Sequence, residues 1–144
     1  SLYQTADCFV FPSMGEGWGL TLQEAMATGL PCLATLHTGM LDFADESVVI
    51  PVKYNPVTMW MQKEGGVGET PRATNEFFPV TVEKADVRDL IRQMRWVISN
   101  WRQASRIGLR AHERAMQFTW DHAAKVLHTT LTGLLTQEQE AKSC

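Results

Sequence analysis

The chain has 144 residues, of which 44% are hydrophobic, and it carries a formal net charge of −3. This composition predicts one folded domain with a core of its own and excludes an intrinsically disordered chain. The acidic balance argues against a nucleic-acid-binding surface, so no nucleic acid is expected among its partners. No apolar run approaches the ~18 residues of a membrane-spanning helix, and no signal-peptide pattern is present. We therefore expect a cytoplasmic location.

The cysteines give no sign of a disulfide framework or a metal site. Cys8, Cys32 and Cys144 lie far apart, without C-x-x-C or paired histidine spacing. Cys8 and Cys32 sit in apolar, strand-like runs, so the pattern favours buried free thiols over zinc ligands. No metal is expected.

Strand and helix patterns alternate over the first third of the chain. Residues 7–12 form a short apolar run, 20–29 show helical spacing closed by Gly29, 32–36 form a second apolar run, 39–44 fit a short helix or turn, and 47–52 fit a third strand. Strands that alternate with helices are typical of βαβ units in a parallel sheet. Gly29 suits a left-handed helix cap, and Pro31 prevents the helix from continuing.

The rest of the chain divides into an irregular stretch and a helical third. Residues 53–79 show no period and are expected to form an irregular loop. An apolar stripe over 87–101 predicts a helix whose stripe packs in the core, a second helix is expected over 102–117, and a terminal helix begins with Thr119 as its N-cap. The expected organisation is a partial domain over 1–118, a terminal helix over 119–136 and a polar, frayed tail over 137–144.

The stretch "SMGEGWGLTLQE", residues 13–24, follows the first strand and runs into the first helix. Its glycines, Gly15, Gly17 and Gly19, would lie at the carboxyl end of a parallel strand, where open α/β sheets bind ligands. The free amides of Leu20 and Thr21 at the helix start favour an anion such as a diphosphate. The loop therefore predicts a phosphate-containing ligand.

Two glutamates make an ordinary dinucleotide cradle a poor fit. The G-x-G-x-G spacing departs from G-x-G-x-x-G, the next strand ends without an acid, and Glu16 would repel a pyrophosphate inside the loop. A sugar nucleotide fits better, because its diol and sugar hydroxyls need carboxylate acceptors. Glu24, one turn into the helix, and Glu16, on the loop, could reach opposite ends of such a donor. Glu16 could instead be an exposed loop acid, and Glu24 could pair with a neighbouring base.

These motifs resemble the signature of retaining glycosyltransferases of family 4, which have the GT-B fold. The shared features are E-G-[aromatic]-G, a second glutamate eight residues after the first, and E-A-M-A-x-G-x-P followed by a strand, all within "GEGWGLTLQEAMATGLPCLAT". The segments "LYQTADCFVFPS" and "FTWDHAAKVL" are similar to the family's flanking segments. Many relatives carry G-G-x-x-E where this chain has "HTGMLDF". Gly39 could take the backbone role of the family's glycine, but Asp42 is not expected to replace the family's glutamate.

The resemblance implies an α/β, Rossmann-like parallel sheet with flanking helices. The chain would be the second half of the C-terminal, donor-binding domain of a GT-B fold, with a helical C-terminal third. Because it begins with Ser1 in what resembles the end of a helix, we expect it to be a piece of a longer protein. The N-terminal domain of that protein would be missing, membrane association would occur only through parts outside the chain, and the chain alone would be inactive.

The resemblance also implies a role for each motif residue. The donor would be a nucleotide diphosphate sugar, with no cofactor and no metal. Glu16 would act in catalysis by holding the transferred sugar, and Glu24 would hold the ribose. The backbone of Gly17, Trp18 and Gly19 would approach the sugar, and the amides of Leu20 and Thr21 would face the diphosphate. A non-catalytic nucleotide-sugar-binding fragment is the alternative, and a nucleotide-sugar epimerase is a weaker one. His37 is expected to be a solvated loop histidine.

Overall fold

A computed structural model of the protein describes residues 2–62, 67–68 and 77–142. It contains the predicted parallel sheet, with strands β1 (Phe9–Phe11), β2 (Cys32–Ala34) and β3 (Ile50–Pro51) in the order β1-β2-β3. Helix α1 (Leu20–Ala27) connects β1 to β2, and a 3-10 helix, Thr38–Asp42, follows β2. The predicted α/β class and Rossmann-like arrangement are confirmed.

One part of the core lies between this sheet and α1, and a second part packs the sheet against the C-terminal helices. The three residues of the central strand β2 are fully buried, as expected for a parallel strand covered on both faces. On α1, Leu22, Ala25 and Met26 have no exposed surface, because they repeat at helical spacing on the face toward the sheet. Gly29 has φ +80 and ends this helix as predicted.

Two of the expected C-terminal helices cover the sheet. They are α2 (Val87–Ser99) and α3 (Trp101–Ala115). The Asp86 side chain caps α2 by accepting hydrogen bonds from the amides of Arg88 and Asp89. The prediction that the apolar stripe packs in the core is wrong in part, because Val97 is buried but Ile98 is 79% exposed.

Small residues bring α3 close to the rest of the fold. Its buried positions are Ala104, Gly108, Ala111 and Ala115. A Cβ atom added at Gly108 would lie 2.3 Å from the carbonyl oxygen of Gly29. The helix therefore meets the turn after α1 at a distance that only glycine permits.

Over residues 54–62, 67–68 and 77–79, which the structure describes, the expectation of an irregular loop over 53–79 is wrong. Strands β4 (Tyr54–Gln62) and β6 (Phe77–Ala85) pair antiparallel over nine residues each, and β5 (Val67–Gly68) pairs with β4. Pro56 faces Glu83 across the pair, and the Glu83 amide points outward to the Met14 carbonyl oxygen at 3.0 Å. The proline nitrogen thus also faces away from the partner strand, so its missing N–H breaks no hydrogen bond. Residues 63–66 and 69–76 of the predicted loop lie outside the described residues.

The terminal helix is longer than predicted. Helix α4 spans Trp120–Lys142, so the tail expected over 137–144 is helical up to 142, and residues 143–144 lie outside the description. The Thr119 hydroxyl accepts a hydrogen bond from the amide of His122 at 3.2 Å, which confirms the predicted N-cap. The apolar stripe of α4 is exposed, with Leu127 at 60% and Leu131 at 51%. In the described part of the chain, no helix combines the length and apolarity needed to cross a membrane.

Two of the cysteines are free thiols, as predicted. Cys32 is buried and Cys8 is half-buried. Burial raises the pKa of Cys32 to about 12 and that of Cys8 to about 11, so both remain protonated at neutral pH. Cys144 lies outside the described residues.

Candidate functional site

The glycine loop runs from the end of β1 at Phe11 to the start of α1 at Leu20. Gly19 ends it with φ +91, a left-handed conformation that favours glycine. A Cβ atom on Gly19 would also lie 2.8 Å from the Met40 side chain. The loop can therefore enter α1 at this angle only because residue 19 has no side chain.

Helix α1 presents its amino end at the carboxyl edge of the sheet. Leu20 and Thr21 are its first two residues and both are exposed. The first amides of a helix have no acceptor within the helix, and the helix dipole adds partial positive charge there. The arrangement provides hydrogen-bond donors for an anion.

A second loop, residues 37–39 after β2, packs directly against the glycine loop. A Cβ atom on Gly39 would lie 2.0 Å from the Gly17 carbonyl oxygen. Beside it, Thr38 has φ +50, an uncommon conformation for a β-branched residue. The close approach of two backbones explains the glycine at position 39.

The Glu16 carboxylate is held by its own loop. The Ser13 hydroxyl donates to Glu16 Oε1 at 2.6 Å, and the Glu16 amide donates to Thr38 Oγ1 at 3.2 Å. Glu16 is half-buried, between the two loops. Its backbone and its carboxylate are thus each fixed by a separate hydrogen bond.

Glu24 is exposed on α1, four residues after Leu20. The Tyr3 hydroxyl donates to Glu24 Oε2 at 3.0 Å. Burial, followed by the hydrogen bond and charge of Glu24, raises the pKa of Tyr3, so the hydroxyl remains a donor at neutral pH. Sequence reasoning missed Tyr3, because a residue 21 positions away from Glu24 gives no local signal.

The Trp18 side chain packs within the protein. Its ring centroid lies 5.2 Å from that of Phe43 and 5.9 Å from that of Phe118. Its Nε1 donates to Gln23 Oε1 at 2.5 Å, and Gln23 Nε2 donates to the Phe118 carbonyl at 2.9 Å. The Trp18 side chain is therefore held by contacts within the protein, and Trp18 also lines the cavity beside α1.

A mainly apolar cavity of about 600 Å³ lies along α1 on the side of α4. Glu24 and Leu20 line it from α1, and Met116 and Trp120 line it from the C-terminal part. Glu24 therefore borders both solvent and an apolar surface.

His37 is buried, and the expectation of a solvated loop histidine is wrong. It is 4% exposed, and its ring meets the Tyr54 ring edge to face at 5.2 Å. Sequence reasoning could not find this contact, because Tyr54 lies in the segment expected to be irregular. The Tyr54 hydroxyl in turn donates to the Leu36 carbonyl at 3.0 Å.

The structure brings the predicted site residues together at one edge of the sheet. The loop residues are Glu16, Gly17, Trp18 and Gly19; those of the helix are Leu20, Thr21 and Glu24. Within residues 2–62, 67–68 and 77–142, no group of three histidine, cysteine or acidic side chains could hold a metal ion.

Comparison with known proteins gives consistent similarities. Residues 1–56 match the family described as "Glycosyl transferases group 1". The chain is 29% identical over 84 residues, 56% of its length, to "Putative glycosyltransferase EpsF" of Bacillus subtilis. It is 46% identical over 39 residues, 27% of its length, to "Mannosylfructose-phosphate synthase" of Agrobacterium fabrum. These alignments cover 21% and 9% of the two relatives. The matched family segment contains the glycine loop, α1 and the second loop, so the candidate site is the part of the chain that is similar to group 1 glycosyltransferases.

Proposed function

We propose that this protein contributes the donor site of a retaining glycosyltransferase that uses a nucleotide diphosphate sugar. The observation that carries the proposal is that Glu16 is fixed beside the amino end of α1, with Glu24 one helical turn further on. A cradle with carboxylates on both sides of an anion site fits a ligand whose charged middle separates two groups of hydroxyls.

The diphosphate accounts for the helix terminus. Its oxygens accept hydrogen bonds from the amides of Leu20 and Thr21, where the helix dipole favours negative charge. The Glu24 carboxylate stands clear of this point, since Glu24 lies about 6 Å further along the helix axis. Repulsion between carboxylate and phosphate is thereby reduced.

The carboxylates serve the neutral parts of the donor. Glu24 accepts hydrogen bonds from both ribose hydroxyls, and the Tyr3 hydroxyl on Oε2 fixes its orientation. Glu16 accepts from hydroxyls of the transferred sugar, and the backbone of Gly17, Trp18 and Gly19 approaches the same sugar. The bond from the anomeric carbon to the diphosphate oxygen breaks, and a bond to the acceptor oxygen forms on the same face of the sugar. The acceptor hydroxyl loses its proton to the departing diphosphate.

A binding role without catalysis is the second candidate. The chain spans a small part of the length of its curated relatives, and the acceptor site would come from the N-terminal domain of the same protein.

We propose family 4 membership, a position in the C-terminal half of a GT-B fold, no cofactor or metal, a cytoplasmic location, and no transfer by the chain alone. Transfer by the chain joined to such a domain would distinguish an enzyme from a binding fragment.

Calorimetric titration tests the proposed donor site. The chain is titrated with uridine diphosphate glucose, guanosine diphosphate mannose and the two bare diphosphates, and we expect at least one pair to bind. Nicotinamide adenine dinucleotide serves as the control, because the glycine spacing does not fit it. Binding of the dinucleotide alone would contradict the proposal, and so would the absence of binding by any nucleotide.

A further inference from the structure

Glu16 makes hydrogen bonds to Ser13 and Thr38, and His37 contacts both of these residues. On one side, His37 Nε2 lies 2.8 Å from the carbonyl oxygen of Ser13, whose hydroxyl donates to the Glu16 carboxylate. On the other side, His37 Nδ1 lies 3.2 Å from Thr38 Oγ1, which accepts the Glu16 amide. One imidazole thus contacts both residues that hold Glu16.

The partners of His37 determine which ring nitrogen carries the proton. A carbonyl oxygen can only accept, so Nε2 must carry the hydrogen that is donated to Ser13. Nδ1 can then accept the hydrogen of the Thr38 hydroxyl, which leaves Thr38 Oγ1 free to accept the amide of Glu16. Thr35 Oγ1 lies 3.1 Å from Nε2 and donates its own hydrogen to the Ser13 carbonyl, so it also can only accept from Nε2. The directions of these hydrogen bonds are consistent with a proton on Nε2.

Burial makes this arrangement costly to disturb. His37 is 4% exposed, and Thr35, which is fully buried, adds a second donor to the Ser13 carbonyl at 2.7 Å. Thr38 holds φ +50, a conformation that costs free energy for a β-branched residue and persists only where its surroundings impose it. The Tyr54 ring packs edge to face against the imidazole.

We infer that His37 is a positioning residue, which with Thr38 holds the loop of residues 13–16 so that Glu16 faces the sugar of the donor. This inference rests on the proposed function for the identity of the ligand, whereas the contacts themselves do not depend on it. His37 touches the loop and not the reacting atoms, so its replacement should affect sugar recognition more than nucleotide recognition.

Nuclear magnetic resonance tests the contacts without any ligand. We expect the ¹⁵N shifts of His37 to show that the proton on Nε2 is fixed in place. Exposed His128 should instead average between its two tautomers. In Thr38→Val, which keeps the β-branched shape but removes the hydroxyl, the Glu16 amide should exchange with solvent about tenfold faster. Tautomer averaging at His37, or unchanged exchange in Thr38→Val, would overturn the inference.

Donor binding tests the consequence for Glu16. In His37→Phe we expect affinity for the nucleotide sugar to fall about tenfold, while affinity for the bare diphosphate changes less than about twofold. His37→Gln, which keeps a donor toward Ser13, should recover part of the loss, and His128→Gln is the matched control. Equal losses for both ligands in a folded variant would contradict the positioning role, and Thr38→Val gives the same comparison if His37→Phe does not fold. If the unaltered chain binds no nucleotide, the proposed function fails, while the resonance experiment still decides the contacts.

Discussion

The two glutamates of the glycine loop and α1 have different surroundings, and this difference separates their proposed roles. Glu24 is exposed and oriented from outside its helix by Tyr3, whereas Glu16 is half-buried and fixed by Ser13 and Thr38. A carboxylate that is already held in place loses little side-chain entropy when a ligand arrives. Substitution should therefore affect the two ends of the donor separately.

Glu24→Gln should weaken the nucleotide sugar and the bare nucleotide diphosphate alike. The ribose is common to both ligands, and loss of a charged hydrogen-bond partner costs about 1.5–3 kcal/mol of binding free energy. Calorimetric titration of both ligands measures the effect, with Glu113→Gln on the exposed side of α3 as the control. Unchanged nucleotide affinity would sink the ribose assignment.

Glu16→Gln should leave affinity for the bare diphosphate nearly intact and lower affinity for the nucleotide sugar. The reason is that its carboxylate lies on the glycine loop, whereas the proposal assigns the ribose to Glu24 on α1. The ratio of the two affinities is the quantity to measure, because a general loss of folding would reduce both. A parallel loss in a folded variant would show that Glu16 does not act on the sugar alone.

At the scale of the elements, α3 contacts the turn that follows α1, and the amino end of α1 forms part of the candidate site. Gly108→Ala should lower the free energy of unfolding by about 1–3 kcal/mol, because the added methyl group would meet the Gly29 carbonyl at 2.3 Å. Urea denaturation followed by circular dichroism measures the change.

Gly133 on α4 offers a matched control for this substitution. A Cβ atom there meets nothing within 4 Å, so Gly133→Ala should stabilise the helix by up to about 1 kcal/mol. Stability changes of the same sign in the two variants would contradict the steric explanation.

Local pattern was sufficient to predict the first βαβ unit. Buried positions on α1 repeat at helical spacing, β2 is continuously apolar, and Gly29 and Thr119 occupy the caps that their residue types indicate. Because the glycine loop lies between two predicted elements, its place at the sheet edge could be predicted as well.

Pairing between distant residues could not be predicted in the same way. Tyr54 pairs with Ala85, 31 residues later, and the prolines of both strands obscured their alternation. His37 packs against Tyr54, so the burial of His37 could not be predicted once the strand that contains Tyr54 had been missed. The stripe of α2 has helical spacing, but spacing alone does not show whether another surface covers it.

At the scale of the whole molecule, α4 leaves a large apolar surface exposed. Exposed apolar surface of this kind favours association between molecules. The double substitution Leu127→Glu with Leu131→Lys should therefore reduce any self-association seen in sedimentation, while the thermal midpoint changes little. The two side chains are 60% and 51% exposed, so they add little to the free energy of folding, and the new pair at i and i+4 favours the helix. Analytical ultracentrifugation and thermal denaturation measure the two effects.

Leu22→Ala provides the contrast for a leucine that packs in the core. Leu22 is fully buried on α1, so its truncation should cost about 2–5 kcal/mol of folding free energy. A comparable loss in the α4 double variant would mean that α4 packs against its own domain.

The antiparallel strands β4 and β6 contact the rest of the chain at one end of the pair, next to both loops of the site. Tyr54 bonds to Leu36 before the second loop, and Glu83 bonds to Met14 in the glycine loop. From Tyr54 to Gln62 the strand extends about 27 Å, so a rotation of about 5° at the base displaces the far end by about 2 Å. A rigid rotation of the two strands together with the glycine loop would therefore change the distance between the Gln62 end of β4 and the parallel sheet more than any distance within the loop.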